Sequence, residues 1–209
     1  NDTYSINLAT YNATTDQVEP NGQTITLNKQ VYNENPVFIS NTFNVDTETV
    51  GYLMYNGFTA NFNSQLNAAF GNFASSNIDQ LVLDLRYNPG GSVNSATLLA
   101  SMITGQFNGQ TFSRLNYNSL LSANNVAYNF TNSFDGETIN SLNLSKVYVL
   151  TSGNTASASE MIINSLKAYI NVVQIGTNTV GKSQASVTLY DSPDFSRSQV
   201  NPTHLYAMQ

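Results

Sequence analysis

A short apolar strand that runs straight into a glycine turn constrains this chain more than any other feature. The run Leu81-Val82-Leu83-Asp84-Leu85 is followed by Asn88-Pro89-Gly90-Gly91 and then by a helical pattern over 93–103. A short apolar run bounded by turn residues is typical of a buried strand. The same order recurs later in the chain, with a strand at 147–150, a helix at 157–170 and a strand at 172–176. This alternation predicts an α/β fold with a largely parallel sheet flanked by helices.

Weaker patterns predict the remaining elements. The segment 59–76 has aromatic and leucine residues at helical spacing, and residues 1–20 are polar with weak periodicity. Further strands are predicted from apolar runs between turn residues, at 24–27, 37–40, 50–55, 111–117, 186–190 and 204–208. Long loops are expected in the rest of 106–145.

The composition excludes several classes of partner. Charged residues are only 10% of the chain, against a usual share of about 25%, and the net charge is −6. Nucleic acids and anionic membranes reward a basic surface, so neither is expected as a partner. The chain has no cysteine for a disulfide or a thiolate metal site, and no apolar run long enough to span a membrane. It shows no signal peptide and does not begin with Met, which indicates a mature form or an excised piece.

Ser157 opens a helical pattern and is a candidate nucleophile. It precedes Glu160 by three positions, which is the pattern of a capping box and a structural role in itself. The same position suits catalysis, because a helix N-terminus favours a developing negative charge and the Ala158 N–H lies beside it. Local sequence leaves both interpretations open.

Lys182 and a pair of glycines supply the other parts of such a site. Lys182 follows Ser157 by 25 positions and lies on a glycine turn between two predicted strands. Most lysines are simply solvated, and a lysine acts as a general base only where burial lowers its pKa from about 10.4. Gly90 and Gly91 are consistent with a tight turn or with a close backbone approach that offers an N–H to an oxyanion. Together these residues are the parts of a serine–lysine hydrolase.

Other catalytic arrangements lack their residues. His204 is the only histidine and no Asp or Ser has matching spacing, so a Ser-His-Asp triad is not expected. There is no Gly-x-Ser-x-Gly elbow, no cluster with metal-ligand spacing and no phosphate-binding loop. No cofactor is therefore expected. Asp84, inside a buried strand, needs a partner, and Arg86 is the candidate.

Three segments occurring together and in order carry a resemblance to a known family. Asp-Leu-Arg-x-Asn-x-Gly-Gly is matched at 84–91, Ser-Ala-Ser-Glu at 157–160 and Gly-Lys at 181–182. With these motifs the chain resembles the carboxyl-terminal processing peptidases, also called tail-specific proteases, and the related tricorn-type peptidases. Gly-Tyr-Leu-x-Tyr-x-x-Phe at 51–58 is similar to the strand that opens their catalytic core. The resemblance covers about residues 35–190.

The resemblance implies a ClpP/crotonase-like core and a role for each site residue. Ser157, and not Ser159, would be the nucleophile, because only Ser157 has the family's spacing to the general base Lys182. The oxyanion donors would be the backbone N–H groups of Ala158 and of Gly90 or Gly91. Glu160 would support the site through the helix cap or a contact to Lys182.

The chain departs from the family at two positions. Many members carry a Gln four residues after the lysine to orient it; here that residue is Ser186, and Gln184 lies two residues before it. Either of these is expected to take the role. Some members have an Asp eleven residues after the serine, where this chain has Ala168. The family often carries a PDZ domain ahead of the core, and the first 45 residues are too short and unpatterned for one.

The resemblance thus implies a serine endopeptidase that cleaves unfolded or C-terminally exposed polypeptides through a Ser-Lys dyad. Residues 1–45 are interpreted as an N-terminal extended segment or the remnant of a preceding region, and 46–209 as the catalytic domain, truncated or continuing beyond its end. A PDZ domain is expected elsewhere in the full-length protein if it has one. The composition favours an exported bacterial protein of the periplasm or cell envelope. The alternatives are a catalytically inactive peptide-binding module of the same fold and a crotonase-type acyl-thioester enzyme.

Overall fold

The computed structural model describes residues 2–209, and the chain divides into two compact units, Asn1–Glu34 and Asn35–Gln209. The first unit is an antiparallel hairpin of β1 (Thr3–Asn12) and β2 (Gln17–Asn28). Its residues are almost all exposed. The predicted strand at 24–27 lies within β2, whereas β1 was not predicted.

The second unit contains a five-stranded sheet. Its strands are β3 (Val37–Val45), β4 (Glu48–Tyr55), β5 (Gln80–Asp84), β10 (Lys146–Thr151) and β11 (Asn171–Gly176), in the order β11-β10-β5-β4-β3. Only the edge strand β3 is antiparallel to its neighbour, and the other pairs are parallel. The predicted α/β class with a largely parallel sheet is confirmed. The sequence-based boundary after residue 45 falls at the end of β3, which is an integral strand of this sheet.

Three helices accompany the sheet: α1 (Asn63–Ser75), α2 (Val93–Thr104) and α3 (Ala158–Leu166). α1 begins later than predicted because residues 60–62 form a separate 3-10 turn. α3 ends earlier than predicted, and the chain continues from it in turns before β11. Ser92 caps α2 by accepting a hydrogen bond from the N–H of Ser95 at 3.2 Å.

The core lies between the helices and one face of the sheet. Leu53, Leu81, Leu83, Val147 and Val149 point into it and are fully buried. They join one apolar cluster with residues from all three helices, which include Leu66, Phe70, Phe73, Leu99, Met102, Ile103, Ile162 and Leu166. Full burial of each such side chain stabilises the fold by about 1.5–3 kcal/mol.

The remaining strands are short. They form three two-stranded sheets: β6 (Thr111–Leu115) with β7 (Val126–Asn129), β8 (Ser133–Phe134) with β9 (Glu137–Thr138), and β12 (Leu189–Tyr190) with β13 (Ala207–Met208). The strands predicted at 111–117, 186–190 and 204–208 are thus present in shortened form. None of the helices within residues 2–209 has the length and apolar character that a bilayer crossing requires.

Candidate active site

The loops that follow β5 and β10 are bonded to each other along their length. The two strands run parallel and in register, so both loops leave the same edge of the sheet. The Leu85 N–H donates to the Leu150 carbonyl at 3.0 Å, and the Ala156 N–H donates to the Asn88 carbonyl at 3.2 Å. The Thr155 hydroxyl donates to the Leu85 carbonyl at 2.8 Å. These bonds hold the glycine turn against the start of α3.

Asn88 fixes the glycine turn on two sides. It is fully buried, and its Nδ2 donates to the Tyr55 carbonyl at 2.8 Å. Its Oδ1 accepts a hydrogen bond from the Gly90 N–H at 2.9 Å. Its backbone carbonyl also accepts the Ser159 hydroxyl at 3.0 Å. One side chain and its peptide group therefore tie the turn to β4 and to α3.

Gly90 and Gly91 bring backbone closer than any other residue type would allow. Both have positive φ, 105° and 135°. A Cβ on Gly90 would lie 2.7 Å from the Cβ of Ser157 and 2.9 Å from the nitrogen of Ala158, and a Cβ on Gly91 would overlap the Phe58 carbonyl. Only glycine avoids these overlaps. The turn therefore makes the close backbone approach beside Ser157 that the motif indicated.

Two amide groups in this region have no acceptor within residues 2–209. Ala158 is the first residue of α3, so its N–H has no partner inside the helix. The N–H of Gly91 also has no hydrogen-bond partner in the described chain. The N–H of Gly90, in contrast, is occupied by Asn88. The hydrogen bonding thus favours Gly91 over Gly90 as a donor to a bound group.

Ser157 has an accessible hydroxyl and an unusual backbone. It directly precedes α3, is partly exposed, and has φ 57° and ψ −115°. A positive φ at a residue other than glycine costs about 1–3 kcal/mol. Ser159, two positions on, is fully buried and its hydroxyl is engaged by Asn88. The N–H of Ser157 donates to the Glu160 carboxylate at 2.8 Å, which is the glutamate half of a capping box, and the Ser157 hydroxyl remains a candidate nucleophile.

Glu160 accepts four hydrogen bonds and joins the serine loop to the lysine loop. Its Oε1 accepts from the Thr179 hydroxyl at 2.6 Å and the Gly181 N–H at 2.5 Å. Its Oε2 accepts from the Ser157 N–H at 2.8 Å and the Lys182 N–H at 2.9 Å. Because the Ser157 and Lys182 nitrogens both donate to Glu160 Oε2, these two nitrogens lie no farther apart than the sum of their two distances to that oxygen. Burial raises the pKa of the Glu160 carboxyl, but the four hydrogen bonds outweigh it and hold that pKa below its usual value.

The side chain of Lys182 is less constrained than its backbone. It is exposed, and within the described residues its ammonium makes no ion pair and no hydrogen bond. Gln184 is exposed, and Ser186 accepts a hydrogen bond from Gln209 at 3.0 Å. Within the described residues neither Gln184 nor Ser186 forms a hydrogen bond with the Lys182 ammonium, and their orienting role stays a prediction. Ala168, at the position of the missing acid, is exposed.

The ion pairs of residues 2–209 involve other charges. Arg86 pairs with the buried Asp84 at 2.7 Å, as predicted, and the Tyr52 hydroxyl donates to the same carboxylate at 2.6 Å. Burial raises the pKa of Asp84, but the bonds from Arg86 and Tyr52 lower it below its usual value overall. His204 pairs with Asp191 at 3.2 Å. The Asp84 pair anchors the residues just before the glycine turn.

Residues 49–200 match the model of peptidase family S41, which is more than half of the chain. The chain belongs to peptidase family S41. The resemblance to the carboxyl-terminal processing peptidases is therefore confirmed. Members of S41 are serine peptidases.

Individual relatives agree with the S41 assignment. The "Probable CtpA-like serine protease" of Staphylococcus epidermidis is 28% identical over 142 residues, which are 66% of this chain and 26% of the relative. A crystal structure from Bacteroides fragilis, described as an S41 protease, is 33% identical with a TM-score of 0.74 and covers 93% of this chain. The photosystem II D1 C-terminal processing protease shares the fold, with a TM-score of 0.58 at 23% identity and 80% coverage of this chain. The S41 chain spans 52% and 43% of those two structures, so it is about half their length.

Two residues of the candidate site were not singled out from the sequence. Asn88 was part of a matched motif, but its partner Tyr55 lies 33 positions away. Thr179 donates to Glu160 across 19 positions. A polar residue inside an otherwise apolar or glycine-rich motif is the signal that could have identified Asn88. For Thr179 the sequence offers no comparable signal.

Proposed function

We propose that this S41 chain carries the active site of a serine endopeptidase that cleaves unfolded or C-terminally exposed polypeptides. Ser157 is the nucleophile and Lys182 the general base. The single observation that carries the proposal is the junction of β10 and α3, where an accessible serine adjoins the unpartnered amide of Ala158 and packs against the glycine turn that carries a second one, that of Gly91.

In the first step the Ser157 Oγ bonds to the carbonyl carbon of the scissile peptide bond, and its proton passes to the neutral amine of Lys182. The carbonyl oxygen becomes an oxyanion and accepts hydrogen bonds from the N–H groups of Ala158 and Gly91. Removing one such donor from a known oxyanion hole costs about 10²–10³ in rate. The intermediate then collapses, the C–N bond breaks, and the leaving amine takes the proton from Lys182.

In the second step water hydrolyses the acyl-enzyme. Lys182 takes a proton from the water as its oxygen attacks the ester carbonyl, and returns that proton to the Ser157 Oγ when the C–O bond breaks. A lysine amine performs this work only when it is shielded from water. Because the Lys182 side chain is exposed in this structure, we propose that a bound polypeptide covers it and completes the site.

A second candidate, an inactive peptide-binding module, is favoured by one observation. The Lys182 ammonium has no orienting partner within residues 2–209, and the orienting Gln and the additional Asp of other members are replaced here by Ser186 and Ala168. Such a module would keep the groove and lack a working base.

Casein proteolysis across pH 6–10 tests the peptidase against the binder. The native chain is compared with Ser157→Ala and Lys182→Ala, with Lys167→Ala as the control for removal of an exposed lysine. A fluorophosphonate probe, followed by mass spectrometry, reports which serine is nucleophilic. We expect labelling at Ser157, loss of hydrolysis in both site variants and full activity in Lys167→Ala.

Each other outcome has a definite meaning. Hydrolysis that survives Ser157→Ala would exclude the nucleophile named here. Labelling at Ser157 that is unchanged in Lys182→Ala would exclude Lys182 as the base. Absence of both labelling and hydrolysis would favour the inactive module. The full-length protein would then be assayed, and its inactivity would establish that module.

We also propose a location and a partner domain for the full-length protein. The Asn-rich, weakly charged composition favours an exported bacterial protein of the periplasm or cell envelope. A PDZ domain, where present, would deliver the C-terminus of a substrate to the site. Fractionation of the source cells and sequencing of the complete gene test these two statements.

A further inference from the structure

A cavity of about 760 Å³ lies beside the glycine turn and is separate from the hydrogen-bonded cluster described above. Ligand sites in proteins commonly fall in the range of about 300–1,000 Å³. Residues of the 3-10 turn before α1, the first turns of α1 and α2, β7 and the β8–β9 hairpin line the cavity. Most of the polar lining is neutral, from side chains such as Asn61, Asn94, Thr97 and Thr131, and Asp135 is the only charged residue in it.

One wall of the cavity is an unpaired strand edge. All four residues of β7, Val126–Asn129, line it. Successive side chains of a strand point to opposite faces, so a cavity bordered by four in a row lies along the strand's edge. β7 pairs only with β6, and no hydrogen bond within residues 2–209 reaches the backbone of β7 from its other side. An unpaired edge of this kind is a template for an added strand.

The cavity is also close to the proposed reaction centre. Phe58 forms an isolated parallel bridge with Gly91, and the lining residue Ala60 follows Phe58 by two positions. The lining residue Asn94 follows Gly91 by three positions. Three residues of chain reach at most about 11 Å, so the cavity begins within about that distance of Gly91, one of the two proposed oxyanion donors.

We infer that this cavity is the substrate groove and that an extended polypeptide binds there by adding a strand to the free edge of β7. This inference rests on the proposed peptidase function and names its mode of substrate recognition. Main-chain hydrogen bonds to β7 supply the affinity, and the neutral Asn and Thr lining accepts many side chains. The chain thus selects for unfolded segments of substrate, because only these can present a free strand edge.

Binding to the Ser157→Ala variant tests the inference without requiring catalysis. The probe is the tightest-binding capped, fluorescein-labelled octapeptide from an overlapping set covering casein, measured by fluorescence anisotropy. Each backbone amide of that peptide is then replaced singly by an ester, which removes one N–H donor and leaves the side chains unchanged. A strand bonded on one edge uses every second N–H, so we expect losses of about tenfold at alternate positions and little change between them.

A substitution in the groove locates the peptide. Ala127→Glu places a bulky charge on the edge of β7, and Asn116→Glu adds the same charge at an exposed position just after β6. In the Ser157→Ala background, Ala127→Glu is expected to weaken binding at least tenfold and Asn116→Glu to leave it unchanged. The inference would be overturned if both variants bound the peptide with equal affinity, or if every ester position lost affinity equally. Absence of peptide binding at about 1 mM would also overturn it. Fluorophosphonate labelling of Ser157 without peptide binding would reject the groove alone, whereas alternating ester effects without labelling would reject catalysis alone.

Discussion

The region that carries the serine and the region that carries the lysine are held in very different ways. Around Ser157, residues 88–91 and 155–160 are largely buried and are cross-linked by several hydrogen bonds between the two loops. Around Lys182, residues 180–189 are exposed, and their backbone reaches the serine region through the Glu160 carboxylate and the bond from the Val180 N–H to the Thr155 carbonyl. The fold therefore positions the proposed nucleophile and its neighbouring amides through many bonds, while the proposed base depends on few contacts.

The sheet order explains this difference. The glycine turn and Ser157 follow β5 and β10, which are adjacent central strands with neighbours on both sides. Lys182 follows β11, which is an edge strand paired on one side only. A loop after a central strand has a second loop to bond to, whereas a loop after an edge strand has solvent on one side. Glu160 compensates by reaching from α3 to the lysine loop.

The largest effect is expected from Gly90→Ala, which disturbs the rigid serine region. Its Cβ would lie 2.7 Å from the Ser157 Cβ and 2.9 Å from the Ala158 nitrogen, so the nucleophile and one amide donor have to move. Displacing an oxyanion donor costs about 10²–10³ in kcat, and we expect a loss of that size in casein hydrolysis.

Gly109→Ala is the matched control for Gly90→Ala. Gly109 also has positive φ, 83°, but a Cβ there would meet no atom within 4 Å. Only the backbone strain remains, at about 1–2 kcal/mol, and activity should be unchanged. Similar activity losses in the two variants would show that strain, and not the close approach to Ser157, limits position 90.

Glu160→Gln is expected to have the next largest effect, because it breaks the connection between the two regions. Four donors point at the carboxylate, and an amide can accept at only one of its two atoms. The Lys182 loop should then shift, and a displacement of about 1 Å at a catalytic group can cost about 10²-fold in rate. The rate of fluorophosphonate labelling of Ser157 measures this loss of reactivity. Glu34→Gln is the control for removal of one carboxylate charge. Unchanged labelling would mean that Glu160 does not position the base.

The pH dependence of stability provides a third test of this connection. The pKa of Glu160 is lowered in the folded chain, so its ionised form contributes stability that is complete above the unfolded carboxyl pKa of about 4.3. That contribution is lost as the pH falls through the lowered folded value. Denaturant unfolding from pH 7 to pH 2 should therefore show native and Glu160→Gln chains separated by about 1–3 kcal/mol at pH 7 and converging in acid. Parallel curves would contradict the assignment. Asp84 titrates alike in both chains.

The sequence predicts the elements around Ser157 much better than the exposed segment around Lys182. Strands β5 and β10 are recognisable because the residues of one face are buried and apolar, and helix α2 is recognisable because it is buried over 95–104 and is rich in apolar residues. The alternation of Tyr4, Ile6 and Leu8 was also available and would have predicted β1. In contrast, β12 and β13 are two residues long and mostly exposed, so apolar runs at 186–190 and 204–208 overestimate them.

The sequence predicted which residues belong to the candidate site, but it did not predict which of them form hydrogen bonds with one another. The motifs identified Ser157, Lys182 and Glu160 as candidate site residues, and in the structure the backbone N–H groups of Ser157 and Lys182 both donate to the Glu160 carboxylate. The choice between Gly90 and Gly91 required the conformation of the Asn88 side chain, which accepts the Gly90 N–H two positions away and is itself held by its long-range bond to the Tyr55 carbonyl. Long-range hydrogen bonds of single polar residues leave no periodic pattern, and this is why they were missed.

The smallest effect is expected from Thr179→Val, which removes one of the four donors and keeps the shape of the side chain. Among the bonds that lower the pKa of Glu160, the one from the Thr179 hydroxyl contributes most, so its loss should raise that pKa toward the ordinary value. The acid loss of stability should then be smaller and should be complete at a higher pH than in the native chain, with about 1–2 kcal/mol less stability at pH 7. Activity should fall less than tenfold, because the backbone donors of Gly181 and Lys182 remain. Thr177→Val, an exposed change in the same loop, should move neither quantity. If both valine variants behave alike, the carboxylate is held by its backbone donors alone, and the lysine loop is more rigid than the contrast with the serine region implies.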